Sequence, residues 1–138
     1  MIVVDTNILL LLFLPSELSS QAEALVELDP DWAVPILWRS EFRNALATQM
    51  RAQRLSLEQA LAAMRQAQTW MREREFQVPS STVLQLAEKG GCTAYDCEFI
   101  ALALDLRVPC VTQDQALLRT FPEVAISLAE VLAENSAP

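Results

Sequence analysis

The chain has 138 residues, 52% of them hydrophobic and 20% charged, with a formal net charge of −8 and no histidine. That length supports one domain around one core over 1–134, and the apolar fraction offsets chain entropy everywhere but a short flexible tail, 135–138. Without imidazole, Ser-His-Asp and Cys-His nucleophilic catalysis, histidine-driven cleavage of RNA and histidine-ligated zinc are all excluded, so any chemistry rests on carboxylates, hydroxyls or bound ions.

The opening stretch, MIVVDTNILLLLFLP, is apolar enough to raise the question of a leader or a membrane span. It lacks a basic start, carries Asp5 inside it, and is broken by Pro15 before the roughly 20 apolar residues a spanning helix needs. It therefore reads as part of a soluble, cytoplasmic protein with no membrane partner. Ile2 to Val4 is the first strand, and Ile8 to Leu14 is too uniformly apolar for a surface helix.

A helix is expected from Ser16 to about Leu28, closed by Asp29-Pro30-Asp31. Trp32 to Pro35 follows as a short strand, and a helix from about Leu37 to Gln53. Ser56, with Gln59 three residues on, has capping-box spacing and opens a helix to about Arg74. Glu75 to Pro79 is the third strand, after which Ser80 or Ser81 caps a helix ending at Gly90-Gly91, the only glycines present. Thr93 begins a helix to about Leu106, and Pro109 to Thr112 is the fourth strand. Asp114 begins a helix ending near Phe121-Pro122, and Val124 to Ile126 and Leu128 to Leu132 supply a last strand and a short helix. Strands alternating with helices in this way predict a three-layer α/β/α fold with a central, mainly parallel sheet of four to five strands. The three cysteines, Cys92, Cys97 and Cys110, are odd in number, lack C-x-x-C spacing and read as small core residues.

Ligands of open α/β sheets bind beyond the carboxyl ends of the strands. Asp5 ends the first strand, Asp114 stands just past the fourth, and Glu41 and Asp96 lie near the starts of helices. Asp96 shares a face with Phe99, Ile100, Ala103 and Leu104, and Glu41 flanks the stripe Trp38, Phe42, Ala45 and Leu46, so both approach the core. Taken singly, each acid has an ordinary explanation: Asp5 a turn, Asp114 an N-cap, Thr93-x-x-Asp96 a capping box, Glu41 a solvated helix acid. Together they place four carboxylates along one sheet edge. Such crowding raises pKa values and is relieved by divalent cations, and an all-oxygen donor set suits one or two ions of Mg²⁺ or Mn²⁺.

These residues resemble the PIN-domain nucleases, and within them the VapC-type toxins of toxin–antitoxin pairs. VVDTNILL is similar to the family's first acidic motif, WRSEFRNAL to its second, TAYDCEFIALAL to its third and PCVTQDQAL to its fourth. The resemblance implies that Asp5, Glu41, Asp96 and Asp114 surround the metal as the catalytic acids. Thr6, Asn7 and Thr112 then orient them through hydrogen bonds. Some members carry a further acid two or three residues after the fourth, where this chain has Gln115, Ala116 and Leu117. The implied activity is metal-dependent endoribonuclease cleavage to 5′-phosphate and 3′-hydroxyl ends.

Held against a charge of −8, RNA binding must draw on arginines, since Lys89 is the single lysine; Arg39 and Arg43, beside Glu41, are the candidates for substrate contact, and a structured RNA is the expected substrate. The resemblance further implies a homodimer and a cognate antitoxin laid in an apolar groove, for which Leu57, Leu61, Met64, Trp70 and Met71 are available. Two other classes compete. A phospho-acceptor domain also gathers acids at strand ends but usually needs a lysine at a late strand end, whereas Lys89 falls in an expected helix. A non-catalytic PIN-like module binding RNA or protein would keep the fold without the activity.

Overall fold

A computed structural model describes residues 1–136. Five strands, β1 (Ile2–Val4), β2 (Trp32–Pro35), β3 (Glu75–Phe76), β4 (Cys110–Val111) and β5 (Ala125–Ile126), form one sheet in the order β3-β2-β1-β4-β5, every pairing parallel. The helices among the described residues are α1 (Thr6–Phe13), α2 (Ser19–Leu28), α3 (Trp38–Arg51), α4 (Leu57–Met71), α5 (Ser80–Glu88), α6 (Ala94–Leu106), α7 (Gln115–Thr120) and α8 (Leu128–Ser136). Parallel crossovers are right-handed, and the direction of travel across the sheet reverses after β3. The connections through α1–α4 therefore cover one face and those through α5–α7 the other, which yields three layers. α6 packs on β1, β2 and β4 with α5 beside it, while α1 packs against α2, α3 and α4, and α8 against α2. No described helix is long and apolar enough to cross a membrane.

β1 is the middle strand, and its residues Ile2, Val3 and Val4 are all buried, as expected of a strand covered on both faces. The core continues through Trp32, Trp38, Phe42, Phe99, Ile100 and Leu102. Cys97 and Cys110 belong to it, while Cys92 is half-buried at its margin. The apolar run after Asp5 is helix α1, with Ile8 and Leu9 fully buried and Leu10 to Leu14 packed against the core. A helix apolar on every side is stable here because α2, α3 and α4 enclose it.

Several boundaries differ from the sequence expectation. α2 begins at Ser19, since Ser16 to Leu18 form a turn in which the Ser16 hydroxyl accepts from the Leu18 amide and Ser19 Oγ donates to the Leu11 carbonyl. α4 has the expected Ser56/Gln59 capping box but stops at Met71, because the chain turns through Glu73 at φ 67° to enter β3. β3, β4 and β5 are two residues each; adjoining amides such as Ile36 to the Phe76 carbonyl and Thr112 to the Ile126 carbonyl prolong the ladder. α5 is preceded by Pro79 with no side-chain cap. α8 runs through 135 and 136, where a tail was expected; 137 and 138 lie outside the described residues. Leu104, placed in the stripe of Asp96, is 45% exposed, whereas Phe99, Ile100 and Ala103 are buried.

Gly90 and Gly91 take φ of +79° and +86°, a left-handed exit from α5 that side chains adopt at a cost of roughly 1–2 kcal/mol. A Cβ at Gly90 meets nothing, but one at Gly91 would lie 2.9 Å from Thr120 Oγ1. Urea unfolding is expected to show Gly90→Ala destabilised by about 1 kcal/mol and Gly91→Ala by more, about 2 kcal/mol; equal losses would contradict the close approach of Thr120.

Candidate functional site

The order of strands reverses around β1, so the crevice beyond the carboxyl ends of β1 and β4 is the switch point at which open α/β sheets bind ligands. Asp5 stands there. Its amide donates to the Val111 carbonyl at 2.9 Å, continuing the β1–β4 pairing by one residue, and its carboxylate caps α1 by accepting from the Thr6 amide at 2.7 Å. The Thr112 hydroxyl donates to Asp5 Oδ2 at 2.7 Å, and Asn7 Nδ2 reaches the same oxygen at 3.3 Å. Asn7 also accepts from the Gln113 amide through Oδ1, and Thr112 Oγ1 accepts from the Asp114 amide. Thr6, Asn7 and Thr112 thus tie the ends of β1 and β4 together around one buried carboxylate.

The other acids arrive from separate elements. Glu41, in the first turn of α3, accepts the Thr6 hydroxyl on Oε1 at 2.7 Å. Asp96 is the third residue of α6, where Thr93 and Asp96 complete a reciprocal capping box. Asp114 caps α7 through Oδ1, which accepts from the Ala116 and Leu117 amides. Asp5, Glu41, Asp96 and Asp114 all line one cleft of about 300 Å³, together with Thr6, Asn7, Leu10, Asn44 and Ala45. The two capping roles read from the sequence are therefore real, and they coexist with a position on the cleft.

Burial and mutual repulsion set the electrostatics. Desolvation pushes the Asp5 carboxyl up to about 6, against the pull of the Thr112 and Thr6 hydrogen bonds, and the charges of Asp96 and Asp114 add to the rise. Glu41 is pushed to about 7 by desolvation first, opposed by the Thr6 hydrogen bond and reinforced by Asp5, Asp96 and Glu98. Oxygens remain for a ligand: Glu41 Oε2, Asp96 Oδ1 and Asp114 Oδ2 accept no hydrogen bond from the described residues. The donors are all oxygen, which fits a hard divalent ion. Among the described residues the acids are not drawn into a ready-made metal cage, so they would have to close on an ion to chelate it.

Arg39 and Arg43 do not line this cleft. Arg39 grips Glu75 with both Nε and Nη2 at 2.6 Å, and the Trp38 indole donates to the same carboxylate at 2.7 Å, so that guanidinium staples α3 to β3. Arg43 is exposed and donates to Ser40 Oγ at 3.2 Å. Of the residues considered for a protein-binding groove, Met71 is fully buried in the core, Leu57 and Leu61 are exposed, and Trp70 packs edge-on to Trp32 and Phe13. Asn44 was missed by sequence reasoning; its place one turn after Glu41 on α3 was the available signal.

A doubly covered parallel sheet with acids from four chain segments at its switch point defines a class of α/β carboxylate-site proteins. The sequence profile described as PIN domain matches residues 2–122, and the chain belongs to that family. Among solved structures it is similar to PAE2754 from Pyrobaculum aerophilum, at 23% identity and a TM-score of 0.76 over 96% of this chain and 94% of that one. FitAcB from Neisseria gonorrhoeae aligns at 15% identity and a TM-score of 0.72, over 94% of this chain and 99% of that one. A toxin–antitoxin complex from Klebsiella pneumoniae aligns at 14% identity and a TM-score of 0.67, over 93% and 98%. No curated protein sequence matches the chain.

A carboxyl with a raised folded-state pKa holds its proton more tightly in the folded protein. Its contribution to stability is full below about pH 4 and is lost as pH rises through about 6 for Asp5 and about 7 for Glu41. Glu41→Gln removes one charge while keeping the Oε1 acceptor for Thr6. In EDTA at pH 8 this variant is expected to be more stable than wild type by about 1 kcal/mol, a figure reduced for the partial exposure of Glu41. Urea unfolding as a function of pH measures it, with the difference closing by pH 4; a variant less stable at pH 8 would contradict the crowded-acid account.

Proposed function

We propose that this PIN-domain protein is a divalent-metal-dependent endoribonuclease, the toxin of a toxin–antitoxin pair acting in the cytoplasm. The observation that carries the reading is the convergence of Asp5, Glu41, Asp96 and Asp114 on one cleft at the switch point of the sheet. Those four acids would hold one or two ions of Mg²⁺ or Mn²⁺. When bound, such an ion supplies Lewis acidity at a phosphodiester oxygen and a water acidic enough to attack near neutral pH.

The chain's own part is orientation and proton traffic. Thr112 and Asn7 fix the Asp5 carboxylate from one side, and the Thr6 amide fixes it from the other. The Thr6 hydroxyl engages only Oε1 of Glu41, which leaves Oε2 open to the ion or to a proton from an attacking water. Without imidazole there is no usual partner for ribose 2′-hydroxyl attack, and the products are a 5′-phosphate and a 3′-hydroxyl. RNA is the proposed substrate, with a structured molecule favoured because the surface is acidic overall and Arg39, one of the few cations near α3, is already held by Glu75. Similarity to a toxin–antitoxin complex from Klebsiella pneumoniae supports an antitoxin partner, and a homodimer is proposed alongside it.

Incubating total RNA, including transfer RNA, with antitoxin-free protein tests the reading. Discrete fragments bearing 5′-phosphates are expected with Mg²⁺ or Mn²⁺ and none with EDTA. Asp5→Asn and Asp96→Asn are each expected to lower the rate by about 100-fold or more while the protein stays folded. Ends carrying 2′,3′-cyclic phosphate would rule out the mechanism. Unaltered cleavage by either variant would rule out the site, and no cleavage of any RNA would favour the non-catalytic binding module.

A further inference from the structure

The acid cleft does not end at the acids. Leu10 of α1 and Ala45 of α3 line it, and the same two residues line a second cavity of about 460 Å³ that continues between the end of α1 and the loop joining α3 to α4. This trench has two kinds of wall. Leu14 and Leu55 supply apolar surface, while Gln49, Arg54 and Gln59 supply polar groups. The volume falls in the range of roughly 300–1,000 Å³ usual for small-ligand clefts.

The polar wall is uncommitted. The Arg54 side chain makes no hydrogen bond or ion pair with any described residue, in contrast to Arg39 on Glu75, Arg74 on Asp31 and Arg51 on Thr48. Gln49 accepts the Arg54 amide through its backbone carbonyl, and its side-chain amide makes no hydrogen bond with any described residue. Gln59 spends Oε1 on the Ser56 amide in the capping box, which leaves its NH₂ as a donor. Arg54 is also held close to the fold: Gln53 turns the chain at φ 59°, and the Arg54 amide closes back on α3 at 3.0 Å.

A free guanidinium, two side-chain amides and an apolar floor, joined to a phosphodiester-cutting cleft, match one chemistry. We propose that the trench receives an unstacked nucleotide of the RNA next to the scissile phosphate, with its base on Leu14 and Leu55, its base edge read by Gln49 and Gln59, and its phosphate on Arg54. Unpaired loop nucleotides are the parts of structured RNA whose faces and edges are open to such contacts, and glutamine amides and arginine forks are suited to base edges and phosphates respectively. The proposal rests on the nuclease reading of the acid cleft and adds to it a determinant of where the RNA is cut.

The test uses the full chain and a stem–loop oligoribonucleotide pool with a randomised loop, cleaved in Mn²⁺, with cut sites sequenced and steady-state kinetics measured. Arg54→Ala is expected to raise KM about tenfold with kcat within about twofold, and Arg54→Lys to recover part of the loss, since charge is kept but the fork is not. Gln49→Ala is expected to relax the base preference beside the cut without a comparable change in KM. Cleavage by wild type together with unchanged KM and cut-site profiles in the variants would overturn the subsite alone and leave the nuclease reading standing. Absence of cleavage by wild-type protein would overturn the nuclease reading and the subsite with it.

Discussion

The bond between the Thr112 hydroxyl and Asp5 Oδ2, made where β1 and β4 diverge, is the contact on which the arrangement of the site depends. Asp5 is 6% exposed and Thr112 is fully buried, so neither group can fall back on water. A carboxylate so placed is costly unless hydrogen bonds compensate it. Three groups do so, from Thr6, Asn7 and Thr112, and no buried side-chain polar atom among the described residues is left without a partner. The compensation is incomplete, as the rise of the Asp5 pKa to about 6 records, a penalty of about 3 kcal/mol on the charged form. The fold therefore holds a strained electrostatic arrangement at its centre and makes up for it elsewhere, in the apolar packing of β1, α1, α3 and α6.

That arrangement explains why the acids come from different elements. Two carboxylates on one helix face would repel through every stage of folding, whereas acids on β1, α3, α6 and α7 meet only when the sheet and both helix layers are in place. Three of the four also do ordinary structural duty: Asp5 caps α1, Asp96 completes a capping box and Asp114 caps α7. Each such cap spends one oxygen on backbone amides and fixes the direction of the side chain. Glu41 has no cap to make, and it is held instead by the Thr6 hydroxyl on Oε1. Local helix chemistry and the site's geometry are thus served by the same atoms.

Much of this was legible from the residues alone. Strand positions, the Ser56 and Thr93 capping boxes, the left-handed glycines and the sheet edge bearing the acids follow from local chemistry and period, and the five strands are present with all pairings parallel. What escaped were relations between elements distant in sequence. Arg39 looked available because it neighbours Glu41, but Glu75 from β3 claims it, and nothing within α3 announces that partner. Met71 looked like a groove residue beside Trp70, yet its rotation on α4 turns it into the core. The exposure of Leu104 is a matter of helix phase: eight residues on from Asp96, at about 3.6 residues per turn, it lies further round α6 than Phe99, Ile100 and Ala103, which stay buried.

The separation of the acids along the sequence has a consequence for folding. Asp5 and Thr112 stand 107 residues apart in sequence, and the strand preceding Asp114 must insert between β1 and β5 to bring Thr112 under the Asp5 carboxylate. Such non-local pairing forms late compared with local helices. A folding polypeptide would thus carry Asp5 without the hydroxyl that orients it until β4 has docked against β1, so the site forms with the last of the sheet rather than with the helices that supply its acids.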